Sequence, residues 1–210
     1  SEIVMNKITS ATPEFERWVE YYSWLWDTPE AQEYWEKALG PRYEEAVNQF
    51  GLGWNPNYHG LGPTATIPIS YANKVLLVKH RLVNPQKGKY TTEPSGVGAM
   101  IFNLDESLKS DRVVVVEGEK KAIRLWLEGY VAVSSTVGDR GWLPEWDLFL
   151  RRKKVYLIYD PDVAGKKGAQ IIMNRLPEAE NVVLEGKVDD LVNSGFDPST
   201  ILGPKWRRGG

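Results

Sequence analysis

The 210 residues suffice for one large domain or two small ones, and a formal charge of −2 gives no global attraction for a polyanion, so nucleic-acid binding would need a local basic face. The absence of cysteine excludes disulfides and thiolate-held zinc, and two histidines, His59 and His80, are too few for a histidine-based metal centre. No signal peptide or long apolar run is visible, so a soluble cytoplasmic protein without membrane contact is expected, and most of the nine Trp and ten Tyr should be core.

The chain opens with helical signals. The first residues are expected to fray. Thr12-Pro13-Glu14 offers a cap, a proline at the first helical position and an acid in the first turn. Trp18, Tyr21, Tyr22, Leu25 and Trp26 then recur at helical spacing, as a core-facing stripe does. Asp27-Thr28-Pro29-Glu30 repeats the start signal for a second helix that stops at Gly40. Arg42 to Gln49 reads as a third helix closed by Phe50-Gly51, and the turn-rich GLGWNPN (Gly51 to Asn57) leaves the helical layer.

Strands follow. Thr64 to Ile69 alternates, and Asn73 to Val83 reads as its partner across a turn at Ser70 to Asn73. Lys79 and Arg81 are expected to share a face of the second strand by the period of two, with Lys74 a further candidate for it. Pro85 to Gly88 is a turn, and Ala99 to Phe102 a further strand. Lys74, Lys79, Arg81, Lys87 and Lys89 fall within sixteen residues with no acid among them, which favours a polyanion-binding face over a solvated strand surface.

Two strand–loop–helix units come next. Val113 to Val116 is a continuous β-branched run, the mark of a strand buried on both faces. It ends at Glu117-Gly118, after which Ala122, Ile123, Leu125, Trp126 and Leu127 recur at helical spacing. Val155 to Tyr159 repeats the pattern and ends at Asp160-Pro161-Asp162, before a helix with Ala169, Ile171, Ile172 and Leu176 apolar. Ligands of open parallel sheets bind beyond the carboxyl ends of the strands, where Glu117, Asp160 and Asp162 fall. One acid after a strand is usually a cap or turn former; the same placement twice favours a hard divalent cation, Mg²⁺ or Mn²⁺. Between the units, SSTVGDRGW (Ser134 to Trp142) has backbone amides suited to a phosphate, or is a plain connection. Lys120 and Lys121 open the first helix, and Lys166 and Lys167 the second. Cations there oppose the macrodipole; a bound triphosphate would offset this, and solvated lysines are the alternative.

The phrases EGEKKA, SSTVG and DPDVAG resemble the Toprim domain of primases, topoisomerases and some nucleases. The resemblance implies that Glu117, Asp160 and Asp162 hold the catalytic metal. Many members carry Asp four residues after the Glu, where this chain has Lys121, and GKVDDLV (Gly186 to Val192) looks like their later acidic segment with one acid missing or displaced. Asp189 and Asp190 are therefore further acidic contributors or a helix start. Ahead of the Toprim-like unit, FGLGWNP (Phe50 to Pro56), His80-Arg81-Leu82, KYTTEP (Lys89 to Pro94) and Ile101-Phe102-Asn103 resemble, in order, phrases of the bacterial- and phage-type DNA primase catalytic core. This nominates Arg81 and Lys89 for nucleotide phosphates and template, with Lys79, Lys87, Lys120, Lys121 and Lys166 beside them.

The resemblance implies an α+β N-terminal subdomain (1–110; helices plus a small antiparallel sheet) packed on an α/β, Rossmann-like Toprim subdomain (111–195) with a mostly parallel sheet. The expected site is the cleft between them. From Phe196 onward the signals fade, leaving a basic tail (196–210) with Lys205, Arg207 and Arg208. The implied activity is RNA primer synthesis from ribonucleoside triphosphates on single-stranded DNA in a bacterial, phage-infected or plasmid-bearing cell. A replicative helicase or a separate zinc-binding module are the implied companions. A Toprim-type nuclease or topoisomerase-like fragment, and a non-catalytic nucleic-acid-binding module, are the alternatives.

Overall fold

The computed structural model describes residues 12–138 and 141–207; the residues ahead of Thr12, Asp139, Arg140 and Arg208 lie outside the described residues. The described residues form two compact units, one from Thr12 to Gly98 and one from Ala99 onward.

The first unit begins with α1 (Trp18–Asp27), α2 (Pro29–Leu39) and α3 (Tyr43–Phe50). The start signal at Thr12 does not begin a helix: the Phe15 N–H donates to the Val75 carbonyl (2.8 Å), holding that stretch against the sheet, and α1 starts five residues later than expected. At the second signal, Thr28 takes the cap position and Pro29 the first turn, although the Thr28 hydroxyl donates back to the Trp24 carbonyl (2.7 Å). An antiparallel sheet follows, ordered β1 (Gly53–Asn55), β2 (Thr64–Tyr71), β3 (Lys74–Leu82) and β4 (Tyr90–Glu93). β1 lies inside the stretch read as turns, and β4 follows the basic turn. Ala72 and Asn73 both adopt positive φ (52° and 61°), as a two-residue hairpin between β2 and β3 requires. Tyr21 of α1 packs on Val75 and Val78, flanked by Phe15, Trp18 and Trp24. Gly53 lets the backbone of α1 lie against β1: a Cβ there would stand 2.5 Å from the Tyr21 carbonyl carbon and 2.6 Å from Thr66 Oγ1.

The second unit holds a sheet ordered β5 (Ile101–Phe102), β7 (Ala132–Ser135), β6 (Arg112–Val116), β8 (Lys154–Ile158) and β9 (Glu180–Asn181). Only β5 runs antiparallel; it pairs with β7, and so draws Ala99 to Ser110, grouped from sequence with the residues before them, into this unit. The helices are α4 (Leu104–Leu108), α5 (Glu119–Leu127), α6 (Val163–Arg175), α7 (Val188–Asn193) and α8 (Ser199–Leu202). Val113 to Val116 are enclosed on both faces, as a continuous apolar run at the centre of a parallel sheet demands. Ser134 and Ser135 belong to β7 rather than to a loop.

The residues read as a tail are, up to Arg207, packed onto this unit. The backbone N–H groups of Trp206 and Arg207 both donate to the Gly129 carbonyl (3.0 Å each), and the Tyr130 hydroxyl donates to the Gly203 carbonyl (2.6 Å). The Trp206 ring meets Tyr130 edge-on at 5.3 Å, and the Arg207 guanidinium lies over Trp126 at 4.0 Å. Aromatic stacking and backbone bonding here leave little trace in sequence periodicity.

Candidate metal centre

β6 and β8 are neighbours in register, Val116 beside Ile158. The chain leaves β6 through α5 towards β7 on one side, and leaves β8 through α6 towards β9 on the other. Diverging crossovers open a crevice at the carboxyl ends of adjacent strands, the place where α/β sheets bind ligands. Glu117 and Asp160 stand there, one or two residues past the paired segments.

Their geometry is fixed by the backbone. The Asp160 N–H donates to Glu117 Oε1 (2.9 Å), tying one strand end to the other. Asp162 caps α6: its Oδ1 accepts from the Gly165 N–H (2.7 Å), satisfying a donor in the first turn that would otherwise be unpaired. Gly165 has no room for a side chain, because a Cβ would meet the Asp160 carbonyl oxygen at 2.0 Å and Glu117 Oε1 at 2.7 Å. Lys121, in the first turn of α5, donates to the Glu117 carbonyl (3.0 Å), and its Nζ lies 3.6 Å from Asp160 Oδ1. That second distance is an ion pair beyond hydrogen-bond reach, so Asp160 Oδ1 is enclosed without a hydrogen-bond partner.

Burial pushes the Glu117 carboxyl above its usual range; the charges of Asp160 and Asp162 add to this, while the Asp160 N–H and Lys121 oppose it. Tyr159 is raised by burial first and by Glu117 second. Among the described residues, no three His, Cys, Asp or Glu side chains form a ready ligand group. The donor set fits a hard divalent cation in kind. One oxygen each of Glu117 and Asp162 is spent on a backbone N–H, and the enclosed Asp160 Oδ1 accepts no hydrogen bond.

The remaining candidates are spread more widely. Asp189 and Asp190 open α7, which packs on α5; Asp189 Oδ1 is enclosed without a hydrogen-bond partner, and Asp190 is exposed. Lys166 and Lys167 are exposed on α6, and Lys120 is half-buried on α5. In the first unit Lys79 is 2 % exposed, with its ammonium 4.0 Å from the centre of the Tyr90 ring, so it is a packed cation rather than a surface one. Lys74 donates to the Thr12 carbonyl (2.5 Å), Arg81 is half-buried, and Lys87 and Lys89 are exposed beside the turn after β3.

Two features escaped the sequence. Gly165 lies in the DPDVAG phrase, yet its role depends on a close approach that no local pattern reveals. The other is a buried polar network in the first unit. Glu93 Oε1 accepts from the Tyr21 hydroxyl (2.7 Å) and stands 3.0 Å from His80 Nε2, while Arg17 bonds Glu93 Oε2 (3.1 Å). His80 Nδ1 is 2.8 Å from Thr64 Oγ1, and the ring stacks on Tyr58 at 3.7 Å. A carboxylate only accepts, so Nε2 carries the proton and Nδ1 accepts from Thr64. A His beside an Arg in a strand gives no hint of this enclosure.

The fold is that of DNA primase catalytic cores. The structure of the Aquifex aeolicus primase comprising its zinc-binding and RNA polymerase domains matches with a TM-score of 0.71 at 19% identity, over 88% of this chain and 58% of that one. The DnaG catalytic core matches with a TM-score of 0.64 at 20% identity, over 84% of this chain and 73% of that one. A chain from the complex of bacteriophage T7 lagging-strand DNA polymerase with primase domains of two gp4 subunits, bound to an RNA/DNA hybrid and dTTP, matches with a TM-score of 0.57 at 19% identity, over 78% of this chain and 86% of that one. The chain thus spans somewhat over half of the Aquifex structure. No protein-family model matches the sequence. No curated protein sequence matches it significantly. No helix among the described residues is long and apolar enough to cross a membrane.

Proposed function

We propose that the chain is a primase-type nucleotidyltransferase core that joins ribonucleoside triphosphates on a single-stranded DNA template, with its second unit acting as a Toprim domain. The observation that carries this reading is the position of Glu117 and Asp160 at the switch point between β6 and β8, within a fold shared with primase cores.

Glu117, Asp160 and Asp162 are the residues that would hold Mg²⁺ or Mn²⁺, which when bound supplies charge neutralisation at the reacting phosphate. The protein's own groups do the positioning. The Asp160 N–H fixes the Glu117 carboxylate, the α6 cap fixes Asp162, and Gly165 lets the helix come close enough for both. Asp189 is a further acidic contributor on α7, with Asp190 beside it. Arg81, Lys87 and Lys89 in the first unit bind triphosphate or template phosphates, Arg81 with the paired donors suited to a phosphate, and Lys120 and Lys166 in the second unit are candidates for the same chemistry. Lys79, packed on Tyr90, holds β3 and β4 in place for them. The setting is the bacterial or phage-infected cytoplasm, with a helicase or a separate zinc-binding module as partner.

The test is primer synthesis from labelled ribonucleotides on short single-stranded templates, with Mn²⁺ or Mg²⁺. Asp160→Ala is expected to lower the rate on the order of 10³-fold while the protein still folds. Full activity in that variant, or cleavage of the template in place of primer formation, overturns the reading.

A further inference from the structure

We propose that Lys121 is the resident counter-ion of the acidic group and competes with a divalent cation for Asp160. Its ammonium lies 3.0 Å from the Glu117 carbonyl oxygen and 3.6 Å from Asp160 Oδ1. The Lys121 side chain is only 12% exposed and that of Asp160 14%. A lysine in the first turn of a helix faces the positive end of the macrodipole, so this placement is unfavourable without a compensating anion. Compensation comes from the strand end of Glu117 on one side and from Asp160 on the other. The enclosed Asp160 Oδ1 has no hydrogen-bond donor, and Lys121 is the cation whose charge acts on Glu117. Three carboxylates around the ends of two adjacent strands repel one another in a metal-free protein, and a tethered ammonium relieves that repulsion permanently. A divalent cation approaching Asp160 meets this positive charge, so the group binds metal more weakly than its carboxylates alone would.

The competition rests on the metal reading above, whereas the pairing is a property of the metal-free chain; the test separates them. In the first arm, melting temperatures of the full chain are measured in EDTA for the parent, Lys121→Met, Asp160→Asn and the double variant. The loss caused by Lys121→Met is expected to be smaller in the Asp160→Asn background, where only the bond to the Glu117 carbonyl is left to lose, and additive losses overturn the pairing. In the second arm, Mn²⁺ is titrated calorimetrically into the parent, Lys121→Met, Lys121→Gln and Lys121→Arg. The two neutral variants are expected to bind Mn²⁺ about tenfold more tightly, and the arginine variant to stay near the parent. Affinity that is unchanged or weaker in both neutral variants overturns the competition. Binding by the neutral variants but not by the parent supports it. If none binds, the metal reading and the competition both fail, and the EDTA cycle alone decides the pairing.

Discussion

At Gly165 an added methyl group would stand 2.0 Å from the Asp160 carbonyl oxygen and 2.7 Å from Glu117 Oε1, atoms that cannot retreat without breaking the strand ends. Gly165→Ala is therefore expected to cost about 3 kcal/mol or more in urea denaturation, and to abolish Mn²⁺ binding, since Glu117 and Asp162 both depend on that approach. His80 gives a pH dependence. Burial holds its imidazole below the ordinary value, and this outweighs the upward pull of Glu93. The unfolded chain then takes up a proton more readily than the folded one. Stability is full above about pH 6.5 and falls as the pH drops from there towards the lower value of the folded state. Melting curves between neutral and mildly acidic pH should show this fall, and His80→Gln should flatten it.

Among the elements, β1 and α1 depend on each other through Gly53. A Cβ there meets backbone atoms of Tyr21 at 2.5 and 2.6 Å, so Gly53→Ala is expected to destabilise the first unit by about 3 kcal/mol, read from its denaturation midpoint. The elements that could be read from sequence were those with a strong period or punctuation: the Val113 to Val116 run, the Pro29 start, and the alternating pair that became β2 and β3. Where local signals competed with tertiary contacts, the contacts won. Thr12-Pro13-Glu14 has every mark of a helix start, yet Phe15 bonds to Val75 instead. β1 and β4, of three and four residues, are too short to show a period, and exist because β2 and β3 offer edges to pair with. The placement of Glu117 and Asp160 at two strand ends was legible from the repeated strand–acid–helix pattern. Their contact through a backbone N–H was not, because it depends on register between strands some forty residues apart.

Across the whole molecule, the C-terminal segment is part of the second unit's framework. Trp206 covers Tyr130 and Tyr156 while its backbone closes on Gly129. Trp206→Ala is expected to lower stability by about 2 kcal/mol, as befits a half-buried ring, and to leave Mn²⁺ affinity unchanged, because Gly129 precedes β7 whereas the acids follow β6 and β8. The central place of β6 has a consequence for synthesis. Its partner β8 emerges from the ribosome roughly forty residues later, an interval of a few seconds at ordinary translation speed. During that time four consecutive valines present a bare hydrogen-bonding edge to other nascent chains. Overproduction of the protein should therefore gain more from a chaperone that shields emerging polypeptide, or from slower translation, than from conditions that favour the finished fold.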